Sequence, residues 1–255
     1  MKLKIRFFIF LALQILLVSG IFAQTPDEMM NSANNFYQQN KFSEAQKIYK
    51  ELIDNGYVSS VLYYNLGNSH YRLGDLGYAI YYYEKALKLS PGDEDILQNI
   101  KIANSRTIDK INEVPKIFIT RWWDSIVVSL TVSGWSFVLL LVFILFLFYL
   151  GLYLLSKKDN MQRIAFYSGS GVLLVMILVF SIWLSRLNIE TSEDYGILCA
   201  KNATVKVSPD QQSNDAFMIH EGIKFSLEEK INNWYKIKLA DGKLGWLPQD
   251  VVGKI

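Results

Sequence analysis

Hydrophobic and polar positions follow each other along this chain in three different rhythms, and each rhythm predicts a different kind of element. Two stretches, 135–155 and 164–187, are apolar almost without interruption; no Asp, Glu, Lys or Arg lies between Trp135 and Leu155 or between Ile164 and Ser185. Each exceeds the roughly 18–20 residues that carry a helix across a bilayer, and neither has the polar face of a helix lying on a water-soluble core. They predict a hairpin of two transmembrane helices, 134–155 and 164–187, joined by a loop at 156–163. That loop carries Lys157, Lys158 and Arg163 against Asp159 alone. Short loops rich in Lys and Arg stay cytoplasmic, so both flanking portions are expected outside, which for a bacterial inner membrane is the periplasm. A further apolar run, 7–22, follows Lys2, Lys4 and Arg6 and ends before Ala23, the pattern of a secretory signal peptide over 1–23. Ile21 stands where a small residue usually precedes such a cleavage site, so an uncleaved anchor of the same orientation is the alternative.

The second rhythm is helical and covers 24–114. Asn34, Ala45 and Tyr49 are echoed by Asn68, Ala79 and Tyr83 at one constant offset, the ~34-residue period of the tetratricopeptide repeat. The second copy resembles that family through Tyr63, Leu66-Gly67, Ala79, Tyr83, Ala86 and Pro91. The first is weaker, with Ser32-Ala33 in the Leu-Gly place and Tyr57 in the Pro place. The resemblance implies two antiparallel helix pairs, 26–59 and 60–93. Gly67 and Ala79 sit where helices touch, Gly74-Asp75 turns the chain, and Pro91-Gly92 stops the second helix. Asp93-Glu94-Asp95 then opens a capping helix, 94–108, with Ile96, Leu97, Ile100 and Ala103 on one face. By alignment with the family, the inner face includes Asn34, Tyr37 and Gln38, then Asn68, Tyr71 and Arg72. Asn34, Tyr37, Asn68, Tyr71 and Arg72 are the candidate peptide-binding residues; the rival reading is that Asn is simply common at this repeat position. Met30 and Tyr64 occupy the places of the lysines that clamp a C-terminal carboxylate in some repeats. The run Tyr81-Tyr82-Tyr83 reads as core and surface filler. Two repeats with a cap make a marginal stack, since arrays usually need about three, and a partner or membrane surface is expected to support it.

The third rhythm, short strands between turn clusters, fills 188–255. Strands are expected at 196–200, 203–207, 223–228, 234–239 and 245–248, with Asp241-Gly242 as a hairpin turn. Val205-Lys206-Val207-Ser208-Pro209, Asn233-Trp234-Tyr235-Lys236-Ile237 and Gly245-Trp246-Leu247 resemble bacterial SH3-type domains. The resemblance implies a small all-β barrel that binds peptides or peptidoglycan. Trp234 and Trp246 are candidates for an aromatic groove, with barrel core as the competing assignment. His220, before Glu221-Gly222, reads as a turn and strand start.

Between repeats and hairpin lies a Trp-rich linker, 115–133. Pro115 breaks the preceding helix, and Arg121 and Asp124 flank Trp122-Trp123. Charges at the bilayer centre cost about 2.5–3.5 kcal/mol each on insertion scales. A helix lying in the outer interface is therefore expected; a further spanning helix is the rival. In the second apolar run, Ser168-Gly169-Ser170-Gly171, Ser181 and Ser185 suit close helix approach.

Composition changes little. The chain is 51% hydrophobic with a net charge of +2, which excludes a disordered chain and gives no basic stripe for nucleic acid. One cysteine, Cys199, excludes an intrachain disulfide framework; a packed strand residue and a redox thiol are its two readings. The two histidines, His70 and His220, fall in different segments, and no GxxxxGK[ST], CxxC or HExxH occurs. No enzyme, cofactor or metal site is expected. The whole is a multidomain membrane protein: an all-α tetratricopeptide repeat domain, a two-helix transmembrane hairpin and an SH3-like barrel. That order resembles the BatE-type proteins of bacterial aerotolerance operons. The resemblance implies von Willebrand A-type membrane proteins and a MoxR-type ATPase as neighbours, and a link to oxidative stress. The leading reading is a membrane-anchored periplasmic scaffold; the alternative is a tether whose barrel binds peptidoglycan.

Overall fold

The computed structural model describes residues 25–110, 117–192 and 194–255. The expected signal peptide and the break at Pro115 lie outside them. The chain divides into two compact units, Met1–Tyr57 and Val58–Ile255.

The first unit is a helix pair, α1 (Pro26–Gln38) and α2 (Phe42–Asp54). Thr25 and Glu28 form a reciprocal capping box, and Pro26 takes the first turn, where its missing N–H costs nothing. Ala33, Ala45, Tyr49 and Leu52 are buried.

The second unit begins with α3 (Ser60–Leu73), α4 (Leu76–Leu89) and α5 (Glu94–Arg106). Gly74 at φ +85° ends α3 in the left-handed conformation that glycine adopts without strain. The α3–α4 pair is so close that a Cβ on Gly67 would stand 2.6 Å from Cδ1 of Tyr83. Asp93 caps α5 by accepting from the backbone N–H groups of Asp95 and Ile96, and Ile96, Ile100 and Ala103 are buried.

Two helices, α7 (Val132–Leu155) and α8 (Asp159–Thr191), are long and apolar enough to cross a membrane. The second starts inside the polar stretch at Asp159, so only Ser156–Lys158 connects them, and it extends past Arg186. They pack side by side: a Cβ on Gly169 would meet Tyr149 Cβ at 3.4 Å, and Trp183 Nε1 donates to Ser136 Oγ at 2.9 Å. The preceding helix α6 (Phe118–Val127) is short. Its Trp123 packs on a cluster of Val127, Trp135, Val179 and Ile182, while Trp122 stays 65% exposed.

The C-terminal part is a seven-stranded antiparallel sheet in the order β3-β2-β6-β5-β4-β1-β7. Its strands are β1 (Tyr195–Leu198), β2 (Asn202–Lys206), β3 (Asp215–His220), β4 (Lys224–Ile231), β5 (Trp234–Leu239), β6 (Leu244–Pro248) and β7 (Val252–Lys254). Leu198, Val205, Ile219, Phe225, Tyr235, Ile237 and Leu247 form its core. Asp241-Gly242 turns the β5–β6 hairpin, with Gly242 at φ +92°. Two strands escape the sequence pattern: β3, whose Ala216-Phe217-Met218-Ile219 run lacks alternation, and β7, only three residues long. The ladder is open where the sequence predicts a closed barrel: no pairing joins β3 to β7 among the described residues. The β7 end runs beside α4 instead, where a Cβ on Gly253 would stand 2.8 Å from Cδ2 of Tyr81.

Candidate functional site

The candidate inner-face residues fall in both units: Asn34 and Tyr37 on α1, and Asn68, Tyr71 and Arg72 on α3. Each asparagine plays the same local part. Tyr49 Oη donates to Asn34 Oδ1 at 2.6 Å, and Tyr83 Oη donates to Asn68 Oδ1 at 2.7 Å. The buried tyrosine hydroxyl of each pair thereby finds its acceptor. The repeated Asn–Tyr spacing is thus a brace between the two helices of a pair.

In the second unit the brace is extended by α5. Asn99 Nδ2 donates to Asn68 Oδ1 and to Tyr64 Oη, both at 2.9 Å. The Arg106 guanidinium lies over the Tyr71 ring, 5.0 Å from its centroid, a cation–π distance. The capping helix therefore engages Asn68 and Tyr71 directly, while Arg72 is exposed. On α1, Tyr37 meets Phe42 edge-on at 5.2 Å. Asn99 and Arg106 are members of this face that the repeat alignment misses, while Tyr64, in the place of a clamp lysine, accepts from Asn99. Asn99 is legible only once α5 is placed, three residues beyond Ile96 and out of its apolar stripe.

A second polar constellation joins α4 to the sheet. Asp75, at the α4 N-cap, makes no side-chain capping bond. The Glu221 carboxylate supplies it, accepting from the Gly77 backbone N–H at 3.1 Å, where the helix carries partial positive charge. Lys201 Nζ donates to Glu221 at 3.0 Å and to the Gly74 carbonyl at 2.9 Å, with Asp75 at 3.8 Å. His220 closes β3 rather than opening a strand. Its backbone N–H donates to Asp109 at 2.7 Å, and its Nδ1 is 3.1 Å from the same carboxylate. Lys224 pairs with Glu84 at 2.7 Å.

Close backbone approach seals this junction. A Cβ on Gly77 would meet the Leu198 carbonyl oxygen at 2.6 Å, and one on Gly222 would meet Ile80 Cδ1 at 2.6 Å. Tyr81 and Tyr82 line it, so the tyrosine run is more than filler. His70 is stacked between Tyr78 and Tyr82, with ring centroids 5.1 and 5.4 Å away. Burial raises the Tyr82 phenol and pushes the Cys199 thiol up to about 12. A thiol held protonated is a poor nucleophile, which favours the packing role for Cys199.

On the sheet, Trp234 and Trp246 share one face. Lys236 is opposite Trp246 in the β5–β6 ladder, and Trp234 lies two residues before Lys236. Tyr235, Ile237 and Leu247 point to the other side, into the core. Trp234 is half-buried, whereas Trp246, at 8% exposed, is buried on that face. Lys236 Nζ lies 6.0 Å from the Trp246 ring centroid, and Lys206 is its neighbour on β2.

A tetratricopeptide repeat family model matches residues 30–94. That region runs from within α1 to just past the end of α4, and repeats of this family point to a protein–protein interaction scaffold. No curated protein matches the chain.

Proposed function

We propose that this chain is a non-enzymatic, membrane-anchored scaffold that holds protein partners on the inner face of its repeats. The observation that carries the reading is the repeat match over 30–94, whose two helix pairs keep the same Asn–Tyr brace. A binding face needs rigid positioning, and that brace supplies it. In this reading residues 1–23 are a signal peptide, α7 and α8 span the inner membrane, α6 lies in the outer interface, and both folded portions face the periplasm. Trp122, exposed beside Arg121, fits a headgroup-level side chain. The partners are proteins of the same membrane, with von Willebrand A-type proteins and a MoxR-type ATPase as the BatE-like assignment and oxidative stress tolerance as its setting.

A photo-crosslinking residue at Arg72, in the full chain in membranes, is expected to capture a discrete partner; the same residue at Lys238, on the sheet, is not. Capture from Lys238 alone, or from neither, would remove the scaffold reading. Cysteines placed at Ser32 and Ser213 are expected to label from the same side of intact cells, and opposite accessibility would remove the topology.

A second reading is favoured by one observation, the half-buried Trp234 on the same sheet face as Lys206 and Lys236. Aromatic rings flanked by cations suit glycan strands with acidic peptides. Under it the C-terminal part is an SH3-type domain that binds peptidoglycan. Full chain in detergent should then sediment with sacculi, and Trp234→Ala should abolish it.

A further inference from the structure

A cavity of about 600 Å³ opens where α8 leaves its apolar run, within the ~300–1,000 Å³ usual for small-molecule sites. Its walls come from α4, α5, the α6–α7 connection, the end of α8, and strands β1 and β4. Arg186 is the first charge after the uncharged stretch ending at Ser185, and its side chain is 1% exposed. The guanidinium is held rigidly: Nε donates to the Leu130 carbonyl at 3.2 Å, and Nη2 to the Lys88 carbonyl at 2.6 Å, with Glu190 at 3.4 Å. Lys88 Nζ in turn donates to the Ser192 carbonyl.

The lining has two characters. Lys88, Arg186 and Lys224 supply three cations, while Glu84 and Asp194 supply two carboxylates, Glu84 being the partner of Lys224. Leu97, Val128 and Ile189 supply apolar surface. A small soluble anion would leave the apolar part in water, and an uncharged apolar ligand would desolvate ammonium and carboxylate groups without replacing their hydrogen bonds. A ligand with a phosphodiester and an attached apolar chain satisfies both: its anionic oxygens accept from the cations, and its chain covers the apolar wall.

Resting on the membrane reading above, we propose that this cavity binds the headgroup of a bilayer phospholipid. The phosphodiester sits toward Lys88, Lys224 and Arg186, with its glycerol and upper acyl carbons against Leu97, Val128 and Ile189. Glu84 and Asp194 provide acceptors for a headgroup ammonium or hydroxyl. The lipid then fills the junction where α4, α8 and the sheet meet, and ties the repeat to the membrane surface.

The test uses the full chain, extracted from membranes, delipidated in mild detergent and read by native mass spectrometry. Phosphatidylethanolamine and phosphatidylglycerol are added separately, beside diacylglycerol of the same chains. One phospholipid per chain is expected to be retained, about tenfold more than diacylglycerol, as loss of charge-assisted bonds implies. Ile189→Trp, which fills the cavity, and Lys224→Gln should each lower retention about tenfold with the far-ultraviolet circular dichroism unchanged. If Ile189→Trp misfolds, Lys224→Gln carries the comparison. Equal retention of diacylglycerol, or unchanged retention in a folded variant, would overturn the proposal. So would displacement of the lipid by glycerophosphoethanolamine at matched concentration, which would assign the cavity to a soluble phosphodiester. A chain recovered from the soluble fraction would overturn the membrane reading first, at a step distinct from lipid retention.

Discussion

Replacing Gly222 by alanine isolates the contact that seats the sheet on the repeat. Gly222 has φ +88°, so any side chain there adopts a left-handed backbone conformation, at about 1–2 kcal/mol. Its Cβ would also stand 2.6 Å from Ile80 Cδ1 on α4 and 2.8 Å from Thr107 Cγ2 just after α5. Such overpacking adds about 1–3 kcal/mol. Gly242, in the β5–β6 hairpin, has φ +92° but nothing within 4 Å of the Cβ position. Gly242→Ala therefore incurs the backbone strain alone, and the difference between the two variants reports the packing of sheet on helices. That difference should be about 2 kcal/mol, a factor of about 30 in an opening equilibrium. Hydrogen exchange in detergent reads it at the Leu198 amide, which donates to the Ile223 carbonyl at 3.0 Å beside the junction. Ile80→Ala, which removes the Cδ1 that the new methyl strikes, should recover part of the loss in Gly222→Ala and none in Gly242→Ala. Equal exchange in the two glycine variants, or no recovery with Ile80→Ala, would mean that the sheet is not seated on α4 and that the junction reading is wrong.

Three other outcomes follow from the same geometry. Tyr83→Phe removes one hydrogen-bond donor and should cost about 1 kcal/mol, whereas Asn68→Ala strips the acceptor from both Tyr83 and Asn99 and should cost about 1–3 kcal/mol; denaturant unfolding that ranks them the other way would refute the brace. Glu221→Ala removes the capping carboxylate from α4 and should cost about 1 kcal/mol, with raised exchange at the Gly77 amide; an unchanged Gly77 amide would refute capping from the sheet. Because burial pushes the Cys199 thiol up to about 12 from its ordinary value of 9.0, its protonated form favours the folded state below about pH 9, and that contribution is lost as pH rises through 12. Native protein at pH 8 should alkylate far more slowly than unfolded protein, and equal rates would refute the buried thiol.

Whatever depends on neighbours a few residues apart is legible in the order of residues alone. The 34-residue echo, the turn at Gly74, the cap at Asp93 and the hairpin at Asp241-Gly242 are local patterns, and so is the existence of two long apolar helices, though not the extension of the second from Asp159 to Thr191. Residue type along a short stretch settles each through helix period, allowed φ or uninterrupted apolarity. Contacts between distant segments are not legible in that order. Glu221 reaches Gly77 across 144 residues of chain, Asp109 reaches His220 across 111, and Arg186 reaches Lys88 across 98. No periodicity records such pairs, because the side chains bond single backbone groups that are brought near only after both segments have folded. The open sheet has the same origin: alternation predicts strands and faces, but not that the edge strand β7 lies beside α4, with Gly253 close to Tyr81, rather than pairing with β3.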